Sequence, residues 1–309
     1  MLGAKIGGYR ITETIGEGSM GIVYLAIDEI VGRPVALKML RPGLAADAAF
    51  VQRFRGEAVT LSKLSHPNIV SFYNFIVSGQ DSFMALEYVP GNNLKRHLQN
   101  ATLPRETALH IFNQMLDATA EAHRQGVIHR DLKPANIVIS PENKVKITDF
   151  GIACMFEWPR QTRTGAAIGT IEYMAPERIE GQRGDARSDL YALGMILYEM
   201  LAGSLPFRGM SEYGIMRWHV EQGPRLLDLG VDPLAPVVAR ALARNPEDRY
   251  ESVEAMRAAL AEAQPVVTAG PAVIRLATRD IVAFGAPLLL IGLSAALAVH
   301  SIVAFERIP

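Results

Sequence analysis

The sequence has little cysteine and no excess of charge of either sign. Its 309 residues include one cysteine, Cys154, which excludes an internal disulfide framework and any zinc site built from several cysteines. The 31 lysines and arginines nearly balance the 32 aspartates and glutamates, for a formal net charge of −1. Because there is neither a basic excess nor an acidic run, we expect no nucleic-acid partner and no solvating tail.

Targeting signals are also missing from residues 1–10. This segment lacks the apolar core of a secretory signal, and its second residue is leucine rather than the glycine of a myristoylation signal. We therefore expect no targeting segment there. What the sequence does contain is 49% hydrophobic residues, enough for a substantial folded core.

Four regions of different composition follow one another along the chain. Residues 9–260 have the density of a folded domain, and residues 261–280 are an expected linker richer in alanine, proline and valine. Residues 281–305 contain no aspartate, glutamate, lysine or arginine, and residues 306–309 form a short tail. Since about 20 largely apolar residues suffice to cross a bilayer, we predict a transmembrane helix at 281–305. The alternative is an apolar helix packed on the folded domain.

The domain changes its pattern near residues 87–91. Before this point, alternation with β-branched residues predicts an antiparallel sheet, interrupted by one helix near 47–64. After it, apolar residues at helical spacing predict helices, one of which has Pro104 in its first turn. The predicted strands are 10–15, 21–27, 35–39, 69–75 and 83–88. The sequence thus predicts an α+β fold with a small β-rich lobe (9–88), a larger helical lobe (92–260) and a ligand cleft between them.

A glycine-rich turn follows the first predicted strand. Residues 16–23 read G-x-G-x-x-G-x-V between two strands, a pattern that lets backbone approach phosphate oxygens without a clash at Cβ. An ordinary hairpin turn would also fit this match. A dinucleotide-binding turn is disfavoured because a strand rather than a helix follows.

The next strand carries a lysine among apolar residues. Lys38 ends the run V-A-L-K, and a lysine in such surroundings is costly unless an anion pairs with it. Glu57, on the following predicted helix, is a candidate partner. The alternative is a lysine on an edge strand that faces water.

The strongest signal is the segment 129–136, which reads H-R-D-L-K-P-A-N, followed by D-F-G at 149–151. It contains a carboxylate to receive a proton (Asp131), a lysine to balance phosphate charge (Lys133) and an amide to hold a metal (Asn136). Asp149 adds a second carboxylate for Mg²⁺. Phosphoryl transfer needs positioning and charge neutralisation, which these groups can supply.

In this order, the motifs match the protein-kinase signature. The chain resembles the bacterial serine/threonine kinases of the eukaryotic (Hanks) type with a C-terminal transmembrane segment, and the resemblance covers roughly residues 9–260. It implies the bilobal kinase fold and the activity of a non-specific serine/threonine protein kinase. It also implies ATP and Mg²⁺ as cofactors, with Mn²⁺ as an alternative metal, and protein substrates as partners.

The resemblance implies a role for each residue. Asp131 is the implied catalytic base, and Lys133 is implied to stabilise the transferring phosphoryl group. Asn136 and Asp149 are the implied Mg²⁺ ligands. The residues implied to bind ATP or to orient those that do are Gly16, Gly18, Gly21, Val23, Lys38, Glu57, Glu87 and Val89.

The resemblance also implies a residue that shapes the nucleotide pocket and three that are scaffold. Leu86 is expected to control a back pocket behind the adenine. Glu177, in A-P-E at 175–177, is expected to form an ion pair with Arg249, and Asp189 is expected to brace the catalytic loop from a long helix. We expect His129 to pack under that loop.

The resemblance also indicates which type of hydroxyl accepts the phosphate and how the activity is regulated. Lys133 and the segment 169–177 resemble the serine/threonine form rather than the tyrosine form. Arg130 is expected to pair with a phosphorylated residue of the activation loop. The candidate regulatory residues are Arg130, Thr162, Thr164 and Thr170, with trans-autophosphorylation expected at Thr164 and secondarily at Thr162.

Three other functions are weighed against this one. A pseudokinase scaffold is expected to lack Lys38, Asp131 or Asp149, and none is missing. A kinase of small molecules is disfavoured by the A-P-E segment, which resembles a peptide platform. Dual specificity stays open.

The predicted span determines the expected location. Because ATP is cytosolic, the kinase domain is expected in the cytoplasm, with a single-pass anchor in the cell membrane. We expect no sensor domain beyond the span. Anchoring would raise the effective concentration for trans-autophosphorylation, during which a homodimer could form.

Overall fold

The protein is described here by a computed structural model, which covers residues 1–18, 21–40, 48–100, 102–150, 171–207, 209–222, 229–230 and 232–263. All of them lie in the first of the chain's two units, Met1–Pro265. Among the helices of these residues, none has both the length and the apolar character needed to cross a bilayer. The span predicted at 281–305 lies outside the described residues.

The described strands come mainly from the first third of the chain. They are β1 (Lys5–Ile6), β2 (Tyr9–Glu17), β3 (Gly21–Asp28), β4 (Pro34–Leu40), β5 (Phe72–Ser78), β6 (Asp81–Glu87), β7 (Asn92–Asn93), β8 (Ile137–Ile139) and β9 (Val145–Ile147).

The described helices come mainly from the later part. They are α1 (Ala48–Leu61), α2 (Leu94–Asn100), α3 (Arg105–Arg124), α4 (Pro176–Ile179), α5 (Ala186–Ala202), α6 (Glu212–Arg217), α7 (Ala235–Ala241) and α8 (Val253–Ala263). Short 3₁₀ turns lie at Pro134–Asn136, Ile171–Tyr173 and Pro246–Asp248, and a π-helical turn at Trp218–Gln222.

Strands β1 to β6 form one antiparallel sheet in the order β1-β2-β3-β4-β6-β5. The antiparallel sheet and the α+β lobes expected from the sequence are confirmed. Some bounds differ: β5 begins at Phe72 rather than at residue 69, α1 ends at Leu61, and α8 extends to Ala263. Pro104 precedes the first helical residue of α3 instead of lying in its first turn, because its φ and ψ are those of an extended cap.

The two faces of this sheet bury different clusters. On β4, the odd-numbered Val35, Leu37 and Met39 pack with β1, β2 and β5 residues in a core of the small lobe. The opposite face of β4 carries Lys38 and Leu40, and Leu40 belongs to the large core that extends through α3 and α5. Since side chains alternate along a strand, this register alone turns Lys38 toward the larger lobe.

A second, three-stranded sheet β7-β8-β9 begins the larger lobe. It lies against the small lobe because Val70 donates to the Ile147 carbonyl at 2.9 Å and Ile147 donates to the Asn68 carbonyl at 2.9 Å. Strand β8 follows the segment 129–136, and β9 precedes Asp149. One small sheet therefore positions both segments that the sequence marks as catalytic.

Helix α5 forms the centre of the larger lobe. Asp185 caps its start by accepting from Arg187, with Ser188 completing a reciprocal capping box, a motif that typically contributes about 1 kcal/mol. Gly203 follows its end with φ 76°, a conformation that glycine adopts without strain. Most of its residues are fully buried, so the helix is a fixed reference for the site.

Candidate active site

The glycine-rich turn joins β2 to β3 at one edge of the cleft. A Cβ on Gly21 would lie 1.8 Å from the Met39 carbonyl oxygen, so the sheet itself requires glycine there. A Cβ on Gly18 would meet no described atom within 4 Å, and one on Gly16 would make only ordinary contact with Val23. Packing within the described residues therefore accounts for Gly21 but not for Gly16 and Gly18, which leaves room for another molecule to approach.

Lys38 lies in the middle of the sheet, with Val23 opposite it on β3 and Met84 opposite it on β6. The residue is 8% exposed, and its Nζ donates to Asp149 Oδ1 at 2.6 Å. Burial raises the pKa of the Asp149 carboxyl, but the charge and hydrogen bond of Lys38 outweigh it and lower the pKa overall. The buried ammonium and an ionised carboxylate thus meet across the two lobes.

The predicted pair between Lys38 and Glu57 is not tested. Glu57 lies on α1 as expected, but its side chain falls outside the described part of the structure.

The segment 129–136 folds into a loop that ends in the 3₁₀ turn Pro134–Asn136. The Asp131 carboxylate accepts from Lys133 Nζ at 2.7 Å and from Asn136 Nδ2 at 3.2 Å. Asn136 Nδ2 also donates to the Asp131 carbonyl at 2.8 Å. Because both bonds use the amide nitrogen, the amide oxygen of Asn136 points the other way and can act as a metal ligand.

His129 connects this loop to Thr148, which lies between β9 and Asp149. Its Nδ1 accepts from the Asp131 backbone N–H at 3.2 Å, and its Nε2 lies 2.9 Å from the Thr148 carbonyl. This arrangement assigns the proton to Nε2. The ring also packs on Phe150 with centroids 4.5 Å apart. The expected packing of His129 under the loop is therefore seen, together with a hydrogen bond that the sequence did not indicate.

Asp189, in the first turn of α5, holds the same loop from below. Its carboxylate accepts from the backbone N–H groups of His129 and Arg130, each at 2.8 Å, and from His123 Nε2 at 2.8 Å. Burial raises the pKa of Asp189, but the hydrogen bond and charge of His123, with further groups, lower it overall. The expected brace is present, and His123 is a contributor that sequence spacing did not reveal.

Backbone strain is concentrated in these segments. Among the described non-glycine residues, positive φ occurs at Arg130 (64°), Asp149 (64°) and Asn143 (58°). Such conformations cost about 1–3 kcal/mol each and persist where surrounding contacts hold them. Asp189 supplies such a contact to Arg130, and Lys38 supplies one to Asp149. Two of the three strained residues thus lie at or beside predicted catalytic groups.

The segment expected to contact adenine begins where β6 ends. The Glu87 carboxylate accepts from the backbone N–H and the hydroxyl of Ser71, both at 3.0 Å, and from Lys146 Nζ at 2.7 Å. Lys146 also donates to the Ile69 carbonyl at 3.2 Å. Val89 packs partly buried against the large core. The Glu87 side chain is thus bonded to Lys146 of β9 and to Ser71 before β5. We therefore expect the backbone of residues 87–89, rather than this side chain, to contact the adenine.

The segment 171–178 closes the site on the side of the larger lobe. Tyr173 donates to Glu199 Oε2 at 2.6 Å, and burial raises the pKa of Glu199. Tyr173, Met174 and Ala175 line a small pocket together with Asp131. A segment that follows the predicted activation loop therefore borders the predicted catalytic base.

The ion pair expected between Glu177 and Arg249 is present and deeply buried. Arg249 donates to the two carboxylate oxygens at 2.9 and 2.7 Å, and its remaining donors bond the carbonyls of Arg187, Ala243 and Arg244. Burial raises the pKa of Glu177, but Arg249 outweighs it and lowers the pKa overall. All five guanidinium donors are thus paired, which fixes the end of the segment to the core.

The three predicted regulatory threonines, Thr162, Thr164 and Thr170, lie outside the described residues. Within the described residues, no group of three histidine, cysteine, aspartate or glutamate side chains could hold a metal by itself. Asn136 and Asp149 nevertheless suit Mg²⁺, which is commonly held by one or two protein oxygen ligands together with substrate phosphates. The donor set therefore fits a nucleotide-bound metal rather than a metal cage made of protein alone.

The chain is similar in sequence to bacterial serine/threonine-protein kinases. Over 264 residues the chain is 39% identical to serine/threonine-protein kinase PrkC of Bacillus subtilis, covering 84% of this chain and 41% of PrkC. Over 263 residues it is 41% identical to serine/threonine-protein kinase PknB of Mycobacterium leprae, covering 82% of this chain and 42% of PknB. The chain thus spans less than half the length of these relatives.

A solved structure is also similar. The crystal structure of the Mycobacterium tuberculosis PknI kinase domain matches with a TM-score of 0.67 and 29% identity, over 85% of this chain and 99% of that domain. The family model described as protein kinase domain matches residues 9–259. With the lobes, the paired Lys38 and Asp149 and the braced loop around Asp131 in place, the chain belongs to the protein kinase family.

Proposed function

We propose that the protein is a serine/threonine protein kinase that transfers the γ-phosphate of ATP to a protein hydroxyl. One observation carries the proposal: the Asp131 carboxylate is hydrogen bonded to Lys133 and Asn136, and Lys133 lies close enough to Asp149 for its charge to lower the pKa of that carboxyl. Lys38 pairs with Asp149 at 2.6 Å, so the two sets of predicted catalytic groups adjoin. The names of PrkC and PknB, both serine/threonine-protein kinases, support the same activity.

The chemistry follows from the positions of these groups. Asp131 accepts the proton of the substrate hydroxyl as that oxygen bonds to the γ-phosphorus, while the bond from the γ-phosphorus to the β-phosphate oxygen breaks and ADP leaves. Lys133 Nζ, 2.7 Å from Asp131 Oδ2, balances the charge on the transferring phosphoryl group. Lys38, which pairs with Asp149 at 2.6 Å, would also pair with the α- and β-phosphates when ATP is bound, because these are anions as well. Gly16 and Gly18 leave space for the phosphates at the turn. Strong charge neutralisation with little covalent chemistry is what phosphoryl transfer requires.

ATP and Mg²⁺ are part of this proposal. Asn136 and Asp149 would hold the ion, which when bound neutralises charge on the phosphate oxygens. The lowered pKa of Asp149 keeps its carboxylate ionised at neutral pH, as a metal ligand must be. The backbone of residues 87–89 would contact the adenine, with the Glu87 side chain kept aside by Ser71 and Lys146.

A radiolabel assay on the full chain tests this activity. The purified chain, solubilised in detergent, is incubated with [γ-³²P]ATP, Mg²⁺ and a generic protein substrate. We expect Asp131→Asn to lower incorporation by at least about 100-fold, the lower range for loss of an acid–base group. Asp117→Asn is the matched control, because the Asp117 side chain on α3 is 42% exposed and pairs with Arg257 of α8, and neither is a predicted site residue. Equal incorporation by wild type and Asp131→Asn would contradict the proposal.

We also propose that autophosphorylation of the activation loop controls the activity. The support is the sequence position of Thr162, Thr164 and Thr170 before the segment at 171–178, together with Arg130, whose backbone is fixed beside Asp131 by Asp189. A phosphate adds charge and acceptor oxygens that an arginine can bind. Phosphate mapping after incubation with ATP tests this. A Thr162→Ala/Thr164→Ala variant with full activity and no phosphate at either position in wild type would contradict it.

Membrane attachment through residues 281–305 is a further part of the proposal. It rests on the absence of aspartate, glutamate, lysine and arginine from these 25 residues. The kinase domain would then lie in the cytoplasm, where ATP is. Fractionation of cells that produce the full chain, compared with a variant in which Leu288→Lys and Leu290→Lys interrupt the run, tests it. We expect the first in the membrane fraction after alkaline washing and the second released.

A further inference from the structure

Gln114 is a polar side chain on the long helix α3 that bonds to three distant segments. The next residue, Met115, belongs to the large core. Gln114 instead contacts Asn68, 46 residues earlier, and Asn143 and Val145, 29 and 31 residues later. One side chain of the larger lobe thus meets the segment before β5, the turn between β8 and β9, and the start of β9.

The amide of Gln114 is used in one orientation. Its Oε1 accepts from Asn68 Nδ2 at 2.9 Å and from the Val145 backbone N–H at 3.0 Å. Its Nε2 donates to the Asn143 carbonyl at 2.9 Å. Exchanging the oxygen and the nitrogen would place the NH₂ group against two donors and the oxygen against a carbonyl. The hydrogen-bond network therefore assigns the amide, and each of its ends holds a different part of the chain.

Asn68, the partner before β5, is buried and bonds to β9 as well. Its Nδ2 also donates to the Val145 carbonyl at 2.8 Å, and its own carbonyl accepts from the Ile147 N–H at 2.9 Å. Both hydrogens of the Asn68 amide are therefore used, one on α3 and one on β9. Since a buried donor is costly to leave unpaired, Asn68 needs both partners in place at the same time.

The turn between β8 and β9 contains Asn143, the third described non-glycine residue with positive φ, at 58°. Its carbonyl accepts from Gln114, and its N–H donates to the Ser140 carbonyl at 2.9 Å. Such a conformation persists where surrounding contacts hold it. Gln114 therefore holds the strained turn that leads into β9 as well as Val145, the first residue of β9.

Strand β9 leads from these contacts to the candidate active site. Val145 begins β9, Ile147 ends it, and Asp149 follows two residues later. Asp149 pairs with Lys38 of the small sheet at 2.6 Å. A slip of β9 along α3, or away from the segment 68–70, would therefore move Asp149 relative to Lys38.

We infer that Gln114 is a positioning residue for Asp149, because it holds β9 in register with α3 and with the segment before β5. It acts through Asn68 and the backbone of β9 rather than on the substrate. The consequence for catalysis rests on the proposed function, in which Asp149 holds Mg²⁺. The hold on β9 is a property of the fold and is measurable without activity.

Amide hydrogen exchange at single-residue resolution in the full chain tests the hold on β9. Gln114→Met keeps the length of the side chain but removes all three bonds. We expect it to raise the exchange rate of the Val145 amide about tenfold, corresponding to the loss of one hydrogen bond. The Ile147 amide should exchange faster as well, because its acceptor Asn68 loses a partner. Unchanged exchange at Val145 would overturn the inference even if the chain had no kinase activity.

Gln114→Glu separates the two ends of the amide. A carboxylate accepts from Asn68 and Val145 as the amide oxygen does, but it loses the donor to the Asn143 carbonyl. We expect the Val145 amide to stay within about twofold of wild type, and the Asn143 amide, which bonds to the Ser140 carbonyl, to exchange about tenfold faster. This variant decides the inference if Gln114→Met does not fold. A faster Val145 amide beside an unchanged Asn143 amide would overturn it.

Asn113→Leu is the matched control on the same helix. Asn113 precedes Gln114, and its Nδ2 donates to the Leu109 carbonyl of α3 itself at 3.0 Å. We expect this variant to leave the exchange of the Val145 and Ile147 amides unchanged. An equal rise at Val145 in Asn113→Leu and Gln114→Met would show that a loosened helix explains the effect, and would overturn the inference.

The dependence of activity on Mg²⁺ tests the consequence at Asp149. Replacing residues that orient a metal ligand commonly changes metal affinity or activity about 10- to 100-fold. We expect Gln114→Met to raise the free Mg²⁺ concentration for half-maximal kcat about tenfold, with KM for a peptide substrate within about twofold of wild type. A purely structural loss would lower the amount of active protein and move neither value.

An unchanged Mg²⁺ dependence in Gln114→Met would overturn the positioning role. Absence of phosphorylation by wild type would contradict the proposed function instead, while the exchange rates would still decide whether Gln114 holds β9.

Discussion

Replacing the buried Arg249 should lower the free energy of unfolding of the kinase domain far more than replacing a surface arginine. Arg249→Met deletes all five donors that pair with Glu177 and with three backbone carbonyls, and the guanidinium has none of its side chain exposed. The Glu177 carboxylate, 7% exposed, would remain buried without its cation. Breaking a buried pair in this way costs about 3–5 kcal/mol, a large part of the 5–15 kcal/mol that stabilises a typical domain.

Equilibrium unfolding in urea, followed by far-ultraviolet circular dichroism, measures this loss. The full chain in detergent should show a lower midpoint at an unchanged slope. The matched control is Arg244→Met, five positions earlier, because Arg244 meets Glu180 at 3.4 Å with side chains 59% and 41% exposed. An exposed pair of this kind contributes at most about 1 kcal/mol.

Lowering the pH should reduce the difference in the free energy of unfolding between wild type and Arg249→Met. The pKa of Glu177 is lowered in the folded protein from its usual 4.5, so the pair's contribution is fully present above that value and is lost as the pH falls through the folded pKa. A Glu177→Leu/Arg249→Met double variant should recover part of the stability, since it leaves no unpaired buried charge. If Arg249→Met and Arg244→Met were equally stable, the reasoning from the buried pair would be refuted.

Three further outcomes follow from the site. Gly18→Ala should raise KM for ATP about tenfold, the effect of losing one charged hydrogen bond. It should leave the free energy of unfolding unchanged, because a Cβ at this position meets no described atom within 4 Å. A loss of stability as large as the loss of binding free energy would contradict this. Asp189→Asn should lower kcat about 100-fold with KM for ATP nearly unchanged, since it misplaces the loop at His129 and Arg130, and pre-steady-state phosphoryl transfer is the measurement. Because burial lowers the pKa of His219 to about 3 from 6.5, and Tyr191 facing it stays neutral, folding should weaken as pH falls below 6.5. Urea titrations should show wild type losing about 1.4 kcal/mol more than His219→Gln between about pH 7.5 and pH 5.5.

The sequence predicted the elements whose signal is local. Alternation predicted the strand at 35–39 that carries Lys38, and in the structure Val35 and Leu37 lie on one face of β4 with Lys38 on the other because strand side chains alternate. The spacing within 129–136 brought Asp131, Lys133 and Asn136 together because they lie on one short loop. Glu177 and Arg249 were paired from resemblance rather than from spacing, and the structure shows that contact.

Contacts between distant segments could not be predicted from spacing. Lys146 reaches Glu87 and His219 reaches Tyr191 only because the small sheet and α5 bring those elements together. The start of β5 at Phe72 was also missed, since Asn68 and Val70, just before it, bond to Ile147 of β9. Apolar residues alone do not indicate which neighbouring strand will take their backbone hydrogen bonds.

The proposed activity is tested most directly by the identity of the phosphorylated residue. The full chain is incubated with [γ-³²P]ATP, Mg²⁺ and a mixed protein substrate, and the acid hydrolysate is resolved into phosphoserine, phosphothreonine and phosphotyrosine. We predict label in phosphoserine and phosphothreonine that depends on Asp131, which lies 2.7 Å from Lys133. Label in phosphotyrosine alone, or label unaffected by Asp131→Asn, would contradict the account.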